Sequence, residues 1–268
     1  MTVILHVSDT HFGTEQQSVA EALLALARTA RPEVVLLGGD ITQRARGSQF
    51  DRARRFADAL GAPVLAVPGN HDIPLFNLAV RVLDPYGPYR RAFGSNREPV
   101  HASDTVLAIG VDSTRAYRHK HGTVSERQVR RVSEWLSGAR PEQIRIILMH
   151  HPVVAKEERD NANLARGHEY AVRAWTQAGA DLILGGHIHL PYVAALPTDR
   201  DAPTAWAVQA GTAISVRRRG GLPNSVNLLH WQPGAARPAS CLVERWDFIA
   251  RRARFEPTAE ARLALARD

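Results

Sequence analysis

The sequence predicts an α/β protein, and three observations predict it. Short apolar β-branched runs alternate with helix-period segments along the first two thirds of the chain. The runs are apolar throughout rather than at every second residue, as in strands buried on both faces. A polar residue able to bind metal or move protons follows most of them at once, where open α/β sheets place their ligand sites.

The elements follow in order. "VILHV" (Val3–Val7) is the first strand, and a helix is expected from about Ser18, where Ser18 and Glu21 read as a capping box. "VVLL" (Val34–Leu37) precedes a second helix from near Ser48, and "VLAV" (Val64–Val67) follows it. "TVLAIG" leads to a helix opened by Ser125 and Gln128, a second capping box. "IRIILM" (Ile144–Met149) and "DLIL" (Asp181–Leu184) flank a helix expected over roughly Ala162–Ala178. Beyond His189, "YVAAL", "AWAVQA", "SVNLLHW" and "SCLVERWDF" read as a second, more antiparallel sheet packed on the first. Residues 1–256 are expected to form one domain and 257–268 a C-terminal tail, either a short surface helix or frayed.

Composition sets outer limits. The chain has 268 residues, 44% hydrophobic and 23% charged, an ordinary balance for a soluble globular protein. Its apolar runs are strand-sized, far short of the roughly 20 residues of a membrane helix. No basic leader precedes "VILHV", and Cys241 is the single cysteine, read as a core residue; both fit a cytoplasmic protein. The formal charge of +7 suits an anionic partner. The charge covers phosphorylated substrates, nucleic acid and the anionic lipid of a peripheral membrane contact without choosing among them; it is the strand-end motifs that favour a small phosphoester substrate over nucleic acid.

The strand ends carry the chemistry. Ser8-Asp9-Thr10-His11 follows the first strand, Gly38-Gly39-Asp40 the second, and Pro68-Gly69-Asn70-His71-Asp72 the third. "IRIILM" runs into His150-His151-Pro152, and "DLIL" into Gly185-Gly186-His187-Ile188-His189. Each piece alone is an ordinary turn or cap. Together they form one donor set of oxygen and nitrogen without thiolate, suited to Mn²⁺, Fe²⁺/Fe³⁺, Zn²⁺ or Co²⁺. The donors are too many for one ion, which points to two divalent metal ions clamping a phosphoryl group. Gly39, Gly69 and Gly186 are expected to let the backbone turn sharply and approach that centre.

The ordered set "DTH … GGD … GNHD … HHP … GGHIH" resembles the calcineurin-like metallophosphoesterase superfamily, and within it the bacterial class III cyclic nucleotide phosphodiesterases. That resemblance implies a four-layer α/β/β/α sandwich of two packed mixed sheets. It implies that Asp9, His11 and His189 bind one metal, that Asn70, His150 and His187 bind the other, and that Asp40 bridges them. His71 is then the group that protonates the leaving oxygen or stabilises the transition state, and Asp72 is expected to orient His71. The implied activity is hydrolysis of a small phosphodiester such as a 3',5'-cyclic nucleotide by a shared, metal-activated water. A pyrophosphatase or esterase acting on a lipid-linked UDP-sugar, a phospholipid or a nucleic-acid end comes second, and a non-catalytic metal-binding scaffold last. A lipid substrate would want an apolar cap, for which residues 73–95, with Leu75, Phe76, Leu78, Tyr86, Tyr89 and Phe93, are the one stretch available. His119 and His121 sit in a basic loop that could reach substrate, while Arg217–Arg219 could bind phosphate or anionic lipid, with a solvated turn the preferred reading.

Overall fold

A computed structural model describes residues 1–75, 77–197, 205–234 and 239–265; the side chain of Leu78 is outside this description, as are Phe76 and the last three residues of the expected tail. In chain order the strands are β1 (Thr2–Val7), β2 (Val34–Leu37), β3 (Val64–Ala66), β4 (Val100–Ala102), β5 (Val106–Val111) and β6 (Ile144–Met149). They continue with β7 (Leu182–Gly185), β8 (Tyr192–Ala195), β9 (Trp206–Gln209), β10 (Ser225–Trp231), β11 (Ser240–Ile249) and β12 (Arg254–Ala264). The α-helices are α1 (Gln17–Ala30), α2 (Gly47–Ala59), α3 (Leu78–Leu83), α4 (Gly87–Phe93), α5 (Glu126–Ser137) and α6 (His168–Gln177).

The strands form two sheets, ordered β12-β11-β10-β1-β2-β3 and β4-β5-β6-β7-β9-β8. Alternation of side chains along each strand explains why the sheets stack. Ile4, Val34 and Leu36 of the first sheet meet Val106, Ile146 and Leu182 of the second in one apolar layer. Their neighbours Leu5, Val35 and Leu37 point the other way, onto Leu23 of α1 and Phe50 of α2. On the far side, Ile109, Ile147 and Ile183 pack against Val132 of α5 and Trp175 of α6. Three apolar layers between four structural ones make the α/β/β/α sandwich.

The pieces beyond His189 do not make a sheet of their own. β8 and β9 complete the second sheet, β9 parallel to β7, while β10 pairs antiparallel with β1 and carries β11 and β12 into the first. The expected tail is the correction of largest scale. Instead of a surface helix or a frayed end, residues 254–264 form the edge strand β12, which pairs with β11 along almost its whole length. Phe255 and Leu263, with Leu265 just beyond, supply its buried positions, too sparse among alanine and charge to read as a strand alone. Pro257 is accommodated opposite the register shift at Arg245/Trp246, which suits a residue that cannot donate to a ladder.

Smaller differences are local. α1 starts at Gln17 without a side-chain cap, so Ser18 and Glu21 are not a capping box. Ser125 and Gln128 do cap α5 reciprocally. The helix expected from Ala162 begins at His168, because Gly167 turns into the left-handed region (φ 82°) and separates α6 from a 3₁₀ turn over Glu158–Asn163. Tyr86 and Tyr89 are buried, Tyr89 donating to the Ala66 carbonyl at 2.8 Å and stacking on Phe93, so these members of the 73–95 stripe are core rather than cap. Cys241 is buried, and no described helix is long and apolar enough to cross a membrane.

Candidate metal centre

β1, β2 and β3 deliver Asp9, His11, Asp40, Asn70 and His71 from one sheet, and β6 and β7 deliver His150, His187 and His189 from the other. The two sheets meet at their carboxyl ends, so all the strand-end residues converge. One ligand atom each from Asp9, His11, Asp40 and His189 gathers within 4.8 Å, and one each from Asp40, His150 and His187 forms a second such group. Asp40 belongs to both. Its Oδ1 stands 3.3 Å from His150 Nε2, and its Oδ2 stands 3.7 Å from His11 Nε2.

The backbone is bent to achieve this. Asp9, His11, Asp40, His187 and His189 all have positive φ, between 43° and 71°, a conformation non-glycine residues seldom adopt. Strain of this kind, about 1–3 kcal/mol per residue, persists where surrounding structure holds it, and it gathers at functional sites. The glycines act mainly by letting segments approach. A Cβ on Gly69 would lie 2.0 Å from the Asp40 amide nitrogen, and one on Gly186 would lie 2.0 Å from Ser8 Oγ. Among the three glycines singled out from the sequence, Gly39 alone also needs a positive φ, 85°.

Backbone carbonyls orient the imidazoles. His150 Nδ1 donates to Gly38 O at 2.8 Å and His189 Nδ1 donates to Arg217 O, which leaves each Nε2 aimed inward as the atom that can bind metal once it gives up its proton. His189 Nε2 then sits 3.2 Å from His11 Nε2 and 3.1 Å from Asp9 Oδ1. Asp9 Oδ2 is held from outside by Ser8 Oγ at 2.7 Å and the His187 amide at 3.0 Å. His151 turns away: Nδ1 meets Ser113 Oγ at 2.8 Å and Nε2 donates to Lys120 O at 3.0 Å.

Burial dominates the electrostatics. It pushes His11 down to about 3 and holds His187 well below its ordinary value, so both imidazoles are neutral. At His150 burial also opposes the charge, but the Asp40 carboxylate overrides it and raises His150 to about 9. Asp40 in turn stays well below the carboxylate range, since the charge and hydrogen bond of His150 outweigh its burial.

The donor set fits two cations. Asp9 Oδ1, Asn70 Oδ1, His150 Nε2 and both ring nitrogens of His187 are buried with no hydrogen-bond partner among the described residues. Buried polar atoms are almost always paired; here Asp9, His150 and His187 belong to the two gathered groups, and Asn70 lines the cavity over them. Oxygen and imidazole donors without sulfur suit intermediate divalent ions.

The structure also changes assignments around the centre. Asp72 does not reach His71. Its carboxylate accepts from the amides of Ile41, Thr42 and Gly69 and from Thr42 Oγ1, tying the loop after β2 to the turn after β3. His71 is oriented instead by the Gln43 carbonyl, to which Nδ1 donates at 3.1 Å. Its Nε2 therefore accepts, and Arg217 Nη1 lies 3.2 Å away. An open cavity of about 510 Å³ covers the centre, and its wall includes His119, Lys120, Arg217 and Arg219. His121 bonds to Ala162 O and is not part of that wall. Lys120 and Gln43 were not legible as site residues, because no local pattern marks a side chain that folding alone brings to a cavity, and Arg217 stood out only as one of three arginines that could bind phosphate.

Known proteins resemble this chain. The sequence model of the calcineurin-like phosphoesterases matches residues 2–191. A cAMP/cGMP dual specificity phosphodiesterase of Mycobacterium tuberculosis is 27% identical over 259 residues, 86% of this chain and 76% of that protein. The glycerophosphodiester phosphodiesterase GpdQ of Enterobacter lignolyticus is 27% identical over 161 residues, 56% of either chain. Among the curated relatives the match covers from 54% to 76% of their own length. A dimetal phosphatase of Danio rerio superposes with a TM-score of 0.68 at 14% identity, over 99% of both chains, which shows a shared fold.

Proposed function

The chain belongs to the calcineurin-like phosphoesterase family, and from that premise we propose that this metal-dependent phosphoesterase is a phosphodiesterase for small diesters such as 3',5'-cyclic nucleotides. The observation that carries the reading is Asp40, whose two oxygens face two separate groups of orphaned donors. Asp9, His11 and His189 would hold one ion and Asn70, His150 and His187 the other, with Asp40 between them. Bound there, two divalent ions supply Lewis-acid charge and an activated water at neutral pH.

The remaining steps belong to the chain. The cavity takes up the phosphate, and its position over the paired sheets restricts approach to one side. His71 lines that cavity, and its Nε2 is the atom placed to exchange a proton or a hydrogen bond with the leaving oxygen. Ser8 and the His187 amide hold the Asp9 carboxylate in place, and the Gly38 and Arg217 carbonyls hold two imidazoles in the tautomer that binds metal. Relatives named for cyclic nucleotides and for glycerophosphodiesters support a diester. The packed positions of Tyr86 and Tyr89 take two of the six stripe residues out of the apolar cap that a lipid substrate would want.

The test is a panel with Mn²⁺-loaded protein: 3',5'-cAMP, bis-p-nitrophenyl phosphate and p-nitrophenyl phosphate. Turnover of both diesters is expected to exceed that of the monoester. Hydrolysis of the monoester alone would overturn the diesterase reading, and full turnover after exhaustive chelation would overturn the metal centre.

A further inference from the structure

The three arginines of "SVRRRGG" have three different fates. Arg218 is exposed. Arg219 is committed to acids, with Nη1 on Asp160 at 2.9 Å and Nη2 on Glu157 at 2.8 Å. Arg217 turns inward to the cavity wall and has no carboxylate partner among the described residues.

Arg217 is held from both ends. Its carbonyl accepts from His189 Nδ1 and from Thr212 Oγ1 at 2.8 Å, and its amide donates to Ser215 Oγ at 3.2 Å. At the far end Nη1 donates to Gln43 Oε1 at 3.0 Å and to His71 Nε2 at 3.2 Å. Neither acceptor is a carboxylate. Nε and Nη2, the side-on fork of the guanidinium, have no partner among the described residues, and the side chain is half-buried beside Asp40 and Asn70 on the same wall. Removing an unpaired cation partly from water costs free energy that an anion in the same place returns. An arginine fork matches phosphate oxygens two at a time, which an ammonium group does not.

We infer that Arg217 is a substrate-contacting residue, offering Nε and Nη2 to the non-bridging oxygens of the phosphate, and that Gln43 positions it. The inference rests on the two-metal reading of the neighbouring donors, since those ions place the phosphate in this cavity. It deepens that reading by naming the protein group that grips the anion. It also explains why His71 Nε2 and Gln43 Oε1 both face one guanidinium: together they aim the fork while leaving it open.

The experiment compares Mn²⁺-loaded wild type with Arg217→Ala, Arg217→Lys and Gln43→Ala. Bound manganese is measured by mass spectrometry, inorganic phosphate affinity by calorimetry, and turnover with bis-p-nitrophenyl phosphate. All variants are expected to keep the wild-type manganese content, because only the backbone of Arg217 touches a donor. The phosphate Kd is expected to rise at least about tenfold in Arg217→Ala, with a comparable or larger fall in kcat/KM. Arg217→Lys should recover part of the loss, and Gln43→Ala should show a smaller loss in the same two quantities. Unchanged phosphate affinity in Arg217→Ala would overturn the inference, and so would loss of manganese, which would make the residue a prop for His189. Wild type that holds no manganese would overturn the two-metal reading itself, and this inference with it.

Discussion

Asp72 binds Thr42 twice, accepting from its amide at 2.7 Å and from its hydroxyl at 2.9 Å. Two further bonds, from the Ile41 and Gly69 amides, make this buried carboxylate a staple between the loops that carry Asp40 and Asn70. Burial, with Asp40 close by, raises Asp72 to about 7, so each of its bonds contributes on the order of 0.5–1.5 kcal/mol, and leaving several buried donors unpaired is costly. Asp72→Ala should therefore lower stability by about 3 kcal/mol or more and weaken metal uptake, both read from urea unfolding and metal content. Normal stability with lost turnover would instead assign Asp72 a part in the chemistry.

His187 and His189 are separated by one residue, yet they fall in different donor groups. His187→Ala and His189→Ala should each lower the bound Mn²⁺ from two ions to one. Asp40→Ala should lose both, since each group depends on one of its oxygens. Mass spectrometry of gel-filtered protein reads all three. Equal loss of both ions in every variant would refute the division into two groups.

Metal uptake should release protons. In the metal-free chain Asp40 raises His150 to about 9, so at pH 7.5 the imidazole is protonated, and coordination requires its free lone pair. Apparent affinity for Mn²⁺ should climb as pH rises from 7 towards 9 and flatten above that value. Calorimetry in two buffers of different ionisation enthalpy should show about one proton or more released per loaded site. No buffer dependence at pH 7.5 would contradict the charged pair.

β12 supports the core without touching the site. Leu263 is buried between the sheets with Cys241 and Val243, and Ala264 O accepts from Trp206 Nε1 at 2.9 Å. Leu263→Ala should cost about 2–5 kcal/mol in urea unfolding, with the manganese content of the folded protein unchanged. A loss below about 0.5 kcal/mol would mean that this edge of the sheet contributes little.

Much of this was open to reading from the residues. Each of the five strand ends carries its own polar group directly after an apolar run, so Asp9, Asp40, Asn70, His150 and His187 can be picked out by position. The division of "GGHIH" between two centres was also expected, and the gathered donor groups have that form. Asp72 is where reading by neighbourhood failed. Adjacency to His71 suggested a contact, but a 3₁₀ turn over Asn70–Asp72 sends the two side chains to different partners. For Arg217 the limit was different: as sequence, phosphate binding is open to all three neighbouring arginines alike, and a solvated turn is the preferred reading. Three consecutive arginines look alike as sequence, and only their tertiary partners separate an exposed one, a paired one and one that faces the cavity.

By itself, then, the sequence determined the layered α/β class, the carboxyl strand ends as the place where metal-binding side chains gather, and the donor types available there. These are local properties, set by apolar periodicity and by which residue follows each run. The tertiary structure decided how the last strands divide between two sheets, which hydrogen bonds turn each imidazole, and which cation meets the cavity. Those depend on atoms from segments up to some 200 residues apart, such as His6 against Asn227 or Gln43 against Arg217, and no local pattern encodes such a meeting.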